Sequence, residues 1–315
     1  MRILYFLFLS TIVFAGCENN ETKEEEPSYE SEDIIFKSEN LDLEGTFYKP
    51  NNITGFPTVV IVNGSGPSDR DGSSSVSSSP PIYKNWAATF ALNGIGVFRY
   101  DKRFLTHTDI NPLALTQENQ ISDIISSIKY LKSRPDIDTN KLFIVGHSEG
   151  GNLAPFVAKR LNGITGIVLA AAPSFAVDSL VLEQLRANPN NPSNLITQVE
   201  TAFEMIRNNN FPTGGQIFGA GEDYWREWIN LSENVCDVTV EIRIPVFIVQ
   251  GEKDENFPSS TLQKNINLWE NTAAKTELIE QKIYKNVTHM LLNSGSSNMA
   301  EDTIDEIINW IKINS

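Results

Sequence analysis

Ser148 stands in the run Gly146-His147-Ser148-Glu149-Gly150-Gly151, directly after the apolar segment Leu142-Phe143-Ile144-Val145 and just before a helical pattern. A serine hydroxyl is a weak nucleophile until a base takes its proton; it can then attack a carbonyl carbon in acyl transfer. A strand, Gly-x-Ser-x-Gly and a helix in succession are the setting of a nucleophile elbow, a sharp turn that holds the hydroxyl out into a cleft. Gly146 and Gly150 bring no side chain to clash in such a turn, and Gly151 adds slack. The helix N-terminus that follows favours developing negative charge. The bland alternative is a strand–turn–helix joint without chemistry, so the rest of the chain must supply a base, an acid and oxyanion donors.

Three histidines are available as the base. His147 lies inside the turn, where its side chain is expected to point away from the cleft. His107, in Lys102-Arg103-Phe104-Leu105-Thr106-His107, is a second-rank base or a cleft-lining residue. His289 follows the last expected strand and precedes the final helix, and elimination selects it. The orienting acid is expected on the loop after Pro245–Gly251, which carries Glu252, Asp254 and Glu255. Asp254 is preferred, because Ser148…Asp254…His289 reproduces the chain order of Ser-Asp-His hydrolases with each member on a strand-end loop. Backbone N–H groups should form the oxyanion hole. Glu149, next after the nucleophile, supplies one; Ser65, in the loop Asn63-Gly64-Ser65-Gly66-Pro67, supplies the other.

The elements that must position these groups are legible as alternating strands and helices. Strands are expected at 58–62, 96–100, 141–146, 166–171, 245–251 and, more weakly, 278–284, after a hairpin turning at Glu39-Asn40. Several are apolar on both faces, as in a covered parallel sheet. Helical spacing over 83–94, 118–133, 151–161 and 303–313 completes a doubly wound, mostly parallel α/β sheet in one domain, 33–315. A helical cap insertion is expected at about 175–240, over the C-terminal ends of the strands where ligands bind. Its Tyr224, Trp225 and Trp228 are candidates for the substrate pocket, with ordinary packing as the equal alternative. The serine-rich stretch 72–81 reads as a mobile rim loop. Asp69-Arg70-Asp71-Gly72 lacks the other ligands of a calcium loop and reads as a structural network.

Composition narrows the function classes. Forty acidic and 25 basic residues give a formal charge of −15, which disfavours nucleic-acid binding. Two cysteines, Cys17 and Cys236, exclude a disulfide framework, and the lack of a Cys/His cluster disfavours zinc. No metal or other cofactor is expected. At the N-terminus, Arg2 precedes a short apolar run ending Phe14-Ala15-Gly16-Cys17. Residues 1–16 read as a signal peptide, and the ending resembles a bacterial lipobox in which Cys17 is lipidated. Residues 17–32, acidic and almost without apolar side chains, read as a disordered tether. The expected location is the bacterial cell envelope, lipid-anchored, with the domain periplasmic or surface-facing.

The motifs Asn-Gly-Ser-Gly-Pro-Ser-Asp-Arg-Asp-Gly (63–72), Tyr-Asp-Lys-Arg (100–103), Gly-His-Ser-Glu-Gly-Gly (146–151), Pro245–Pro258 and Val-Thr-His-Met (287–290) follow one another in an order that resembles the α/β hydrolases. Within them the chain is similar to bacterial serine esterases of the EstD type, from about residue 33 to the end and most weakly in the cap. Two departures stand out: Asn63 replaces a histidine that commonly opens the oxyanion loop, and Phe104-Leu105 follow Arg103 where relatives continue with glycine. The resemblance implies a carboxylesterase acting on small esters through an acyl-enzyme. Related sequences include serine aminopeptidases and acyl-thioester hydrolases. A peptidase, an amidase or a thioester hydrolase with the same triad is therefore the alternative within enzymes. A non-catalytic binding lipoprotein is the alternative outside them.

Overall fold

The structure is a computed structural model that describes residues 28–74 and 80–315. The signal-like segment, Cys17, most of the expected tether and residues 75–79 of the serine-rich loop lie outside the described residues. Eight strands form one sheet: β1 (Tyr29–Ser38), β2 (Leu41–Pro50), β3 (Thr58–Val62), β4 (Gly96–Tyr100), β5 (Leu142–His147), β6 (Gly166–Ala170), β7 (Val246–Gly251) and β8 (Ile279–Tyr284). Their spatial order is β1-β2-β4-β3-β5-β6-β7-β8. β1 and β2 form the expected hairpin, with Ser38 opposite Leu41, and β2 runs antiparallel to β4. From β4 to β8 every pairing is parallel.

The helices are α1 (Ile82–Leu92), the single turn α2 (Arg103–Thr106), α3 (Gln117–Lys132), α4 (Glu149–Arg160), α5 (Val177–Ala187), α6 (Ser193–Arg207), α7 (Glu222–Glu241), α8 (Ser259–Ala273) and α9 (Glu301–Ile313). Alternate strand residues divide between two cores, as the two-residue period of a strand requires. Val60, Val62, Ile144, Leu169 and Ile248 meet α3, α4, the second half of α7 and Trp269 of α8. Val59, Ile61, Val145, Val168 and Val249 meet α1 and α9 on the other face. The strand order reverses at β3, which has β4 on one side and β5 on the other. Such a switch point opens a crevice at the carboxyl ends of the strands. The loops after β3 and β5 both lie there.

Two boundaries differ from the sequence reading. The folded domain starts at Tyr29, not residue 33: Tyr29 to Glu32 pair with Pro50 to Phe47, and the Tyr29 ring stacks on Tyr48 at 4.6 Å. Four residues assigned to the acidic tether are thus strand, their carboxylates on its exposed side. The cap is helical as expected, with its own core of Val177, Val199, Phe203, Ile206, Ile217, Trp225 and Trp228. Its end, however, runs through a helix. Trp225, Trp228 and Ile229 of α7 belong to the cap core, while Leu231 and Val235 belong to the main core.

The end of β4 joins several elements. Asp101 accepts from the Arg70 backbone N–H at 2.7 Å and from its guanidinium, holding the loop after β3. Arg103 reaches Asp123 of α3 with two hydrogen bonds, at 3.0 and 2.8 Å, and Glu39 of the β1–β2 turn at 3.2 Å. Both Arg103 and Asp123 are buried. Removing one partner of such a pair strands the other charge without water. Asp123→Ala is expected to lower the unfolding free energy by about 3–5 kcal/mol, read as a shift of the urea midpoint.

Candidate active site

β5 runs straight into the turn, and Ser148 takes φ 54° and ψ −117°, a left-handed conformation costly for a residue with a side chain. The turn is held by Ser148 N–H donating to the Ala170 carbonyl at 2.8 Å and Gly151 N–H to the Ser148 carbonyl at 2.9 Å. It is also pressed from both sides. A Cβ on Gly146 would stand 2.3 Å from the Gly150 carbonyl oxygen, and one on Gly150 would stand 2.3 Å from that of Val62. No other residue fits at either place. Ser148, half-buried, opens on a cleft of about 940 Å³ that His289 also lines.

His289 lies on the loop after β8 and is buried. Its Nδ1 is 2.9 Å from both carboxylate oxygens of Asp254. Asp254 is fully engaged: Gln250 Nε2 donates to it at 2.7 Å and Asn256 N–H at 3.0 Å. Gln250 accepts in turn from Asn265 of α8 at 3.1 Å. Burial works against a charged imidazole at His289. The attraction and hydrogen bond of Asp254, with a further contribution from Glu255, outweigh it and raise the pKa above the ordinary histidine value. Glu255 binds the His289 backbone N–H at 3.1 Å, and Glu252 is exposed. Of the three acids on this loop, only Asp254 meets the imidazole.

The loop after β3 lies against the elbow: a Cβ on Gly64 would stand 3.2 Å from that of Ser148. Ser65 lines the cleft beside Ser148. Glu149 is the first residue of α4, so its N–H has no acceptor within the helix. Gly64 N–H donates to the Tyr83 hydroxyl at 2.8 Å, Tyr83 Oη lies 2.8 Å from His147 Nδ1, and His147 Nε2 lies 2.9 Å from the His289 carbonyl. The ends of this chain are a pure donor and a pure acceptor, so the protons have one order. Tyr83 donates to Nδ1, and His147 carries its proton on Nε2. Burial, reinforced by the neighbouring His289, pushes the His147 pKa down to about 3, so the ring stays neutral at working pH. His147 is thus turned away from the cleft, as expected, and links the loop after β3 to the main chain of His289.

Tyr224, Trp225 and Trp228 all line the cleft. They also pack: Trp228 Nε1 donates to Asn152 of α4 at 2.9 Å and Trp225 Nε1 to the Ile217 carbonyl at 3.0 Å. The three aromatics thus face the cleft and pack between cap and core at once. The expectation for His107 is not. It does not line the cleft, and its Nε2 donates to the Asp42 carbonyl of β2 at 2.7 Å. The short helix α2 turns Phe104 to the cleft and carries His107 toward the hairpin.

Several site residues were not singled out from the sequence. Lys102 lines the cleft and donates to the Gly64 carbonyl at 2.6 Å. Gln250 left a signal, a lone amide at the end of the buried run Val246–Gly251. Asn265 and Tyr83 left none, since each is one polar group on a helix. Asn63, in the place of the commoner histidine, supports its loop through a 2.8 Å bond to the Asp69 carbonyl. Asp69 also receives the N–H groups of Asp71 and Ser73, so the 69–72 run is a structural network.

The geometry agrees with comparisons to known proteins. Esterase EstD of Thermotoga maritima is 26% identical over 298 residues, spanning 90% of this chain and 68% of EstD. Among solved structures, the α/β hydrolase GrgF from Penicillium sp. sh18 superposes with a TM-score of 0.61 at 16% identity, covering 90% of this chain and 99% of GrgF. A hyperthermophilic esterase from Pyrobaculum calidifontis gives 0.59 at 16% identity, covering 90% and 85%. These structural likenesses carry the fold. The serine aminopeptidase S33 family pattern matches residues 78–295, more than half of the chain and from α1 through His289. The chain therefore belongs to the serine aminopeptidase S33 family of the α/β hydrolases, and it is a serine hydrolase.

Proposed function

We propose that the protein is a carboxylesterase that works through a covalent acyl-enzyme. The observation that carries this reading is the buried Asp254–His289 pair at 2.9 Å, facing the cleft into which a strained turn presents Ser148. Ser148 Oγ attacks the ester carbonyl while His289 Nε2 takes its proton and Asp254 stabilises the imidazolium. The Ser65 and Glu149 N–H groups receive the oxyanion. His289 then protonates the leaving alcohol, and water, activated by the same imidazole, releases the acid. The similarity to EstD supports an ester as substrate. The cleft supports an uncharged one: its walls include Val177, Leu180, Val181, Phe257 and Trp228. Aminopeptidase action is the second reading. It is favoured by the exposed carboxylate of Glu255 on the cleft wall, suited to a substrate ammonium.

We also propose that Cys17 is lipidated and tethers the domain to the bacterial envelope through the acidic segment that follows it. The order of Arg2, the apolar run and Gly16-Cys17 supports this reading.

Four outcomes test these proposals. With p-nitrophenyl esters from acetate to octanoate, Ser148→Ala and His289→Ala are each expected to lower kcat by about 10⁴-fold or more; preference for aminoacyl anilides over all esters would favour the second reading. Since the base must be neutral and its pKa is raised, kcat/KM should fall as pH drops through a value above 6.5. Asp254→Asn removes the anion and leaves the burial, so that limb should move to lower pH as the rate drops by about 10³-fold or more. Cys17→Ser should move the protein from the detergent phase to the aqueous phase in Triton X-114 partition and abolish fatty-acid labelling.

A further inference from the structure

Beside the triad lies a cluster of buried and half-buried polar side chains to which the reaction above gives no role. Lys102 comes from the end of β4, Gln117 and Gln120 from α3, Glu149 from α4 and Tyr224 from α7. The Glu149 side chain is 0% exposed, behind Lys102, Gln120 and Tyr224, which line the cleft. Its Oε1 accepts from Gln117 Nε2 at 2.7 Å, Gln120 Nε2 at 3.1 Å and the Tyr224 hydroxyl at 2.5 Å. Its Oε2 accepts from Lys102 Nζ at 3.2 Å. Lys102 Nζ also donates to the carbonyls of Gly64, at 2.6 Å, and Gly66, at 3.3 Å.

An ammonium has three hydrogens, and Lys102 has three acceptors. None is left over for a substrate, although the side chain lines the cleft. What matters is which acceptors they are. The Gly64 carbonyl and the Ser65 N–H belong to one planar peptide unit, and no peptide bond among the described residues is cis. In a trans unit the two groups point in opposite directions. A cation that seizes the carbonyl from behind therefore fixes where the N–H aims. It also withdraws electron density through the amide and strengthens that N–H as a donor. The third acceptor belongs to Glu149, the residue whose own N–H is the other oxyanion donor.

We propose that Lys102, held by the Glu149 carboxylate, is the positioning residue of the oxyanion hole. It grips the Gly64–Ser65 peptide by its carbonyl, and so aims and polarises the Ser65 N–H. It also ties that peptide to the start of α4, so that the two donors keep a fixed separation. This rests on the reading of Ser65 and Glu149 as the oxyanion donors. The role differs from substrate binding in a measurable way: a mis-aimed donor weakens the tetrahedral state and leaves the ground-state complex nearly untouched.

The test is inactivation of the full chain by an alkyl fluorophosphonate, whose attack by Ser148 builds the same negative oxygen whatever the natural substrate, together with kcat and KM on a p-nitrophenyl ester. For Lys102→Met, kinact and kcat are expected to fall by about tenfold to a hundredfold, with KI and KM within about threefold and the acid limb set by His289 unmoved. Should the single variant fail to fold, Lys102→Met with Glu149→Gln leaves no unpaired buried charge and is read in the same way. Rates within about twofold of the parent overturn the inference, as does a raised KM with kcat kept, which would make Lys102 a substrate contact. A parent protein not labelled at Ser148 overturns the reading of the site itself; a labelled parent with an equally fast variant overturns this inference alone.

Discussion

The structure turns on one close approach. The Gly150 backbone lies so near the end of β3 that any Cβ would come within 2.3 Å of the Val62 carbonyl oxygen. This contact sets the depth of the elbow and, with it, the distance from Ser148 to the loop that carries Ser65. It exists because β3 and β5 are neighbours in the sheet, and they are neighbours because the strand order reverses at β3. A parallel sheet offers such a crevice only at its switch point. The left-handed turn at Ser148 is held by that packing, by a hydrogen bond to Ala170 and by the first turn of α4.

Around this contact the polar groups form two interior systems, and each has few free ends. On one side, Asp254 is shared among His289, Gln250 and Asn256, and Asn265 extends the system to the Ser174 backbone and hydroxyl. On the other, Lys102 and Glu149 join β4, α3, α4 and the cap. Buried polar systems of this kind are costly when incomplete and rigid when complete. The four consecutive residues Tyr100-Asp101-Lys102-Arg103 show how economically a strand end can be used. Tyr100 packs in the core, Asp101 secures Arg70, Lys102 secures the loop carrying Ser65, and Arg103 secures α3 and the hairpin turn.

The legible parts of this chain were those written in apolar periodicity and in short motifs. The parallel strands, the helices α1, α3, α4 and α9, and the residues Ser148, Asp254 and His289 all carry such signals. Helix α8 does not. Its buried face is Thr261, Asn265, Trp269 and Thr272, three of them polar, although Trp269 enters the main core. Trp269 Nε1 and Asn265 Nδ2 both donate to the Ala172 carbonyl. A hydrophobic pattern cannot reveal a helix whose buried face is mostly polar. The start of β1 was hidden for the opposite reason: Glu30 and Glu32 dominate its composition, while Tyr29 and backbone pairing hold it in place. His107 misled because a histidine near a motif carries no record of which way its loop turns.

Helix α7 has a mechanical consequence. A lid joined to its core by loops at both ends can swing as a door, with hinges in flexible backbone. Here one post of the door frame is a continuous helix of 20 residues whose first half is cap and second half is core. Swinging that side outward would mean breaking the helix or dragging Leu231 and Val235 out of the main core. The other side of the cap, α5, α6 and the loop before α7, has no such shared helix, and there Phe218 is 60% exposed at the mouth of the cleft. The edge braced by α7 is also the one that carries Tyr224 to Glu149.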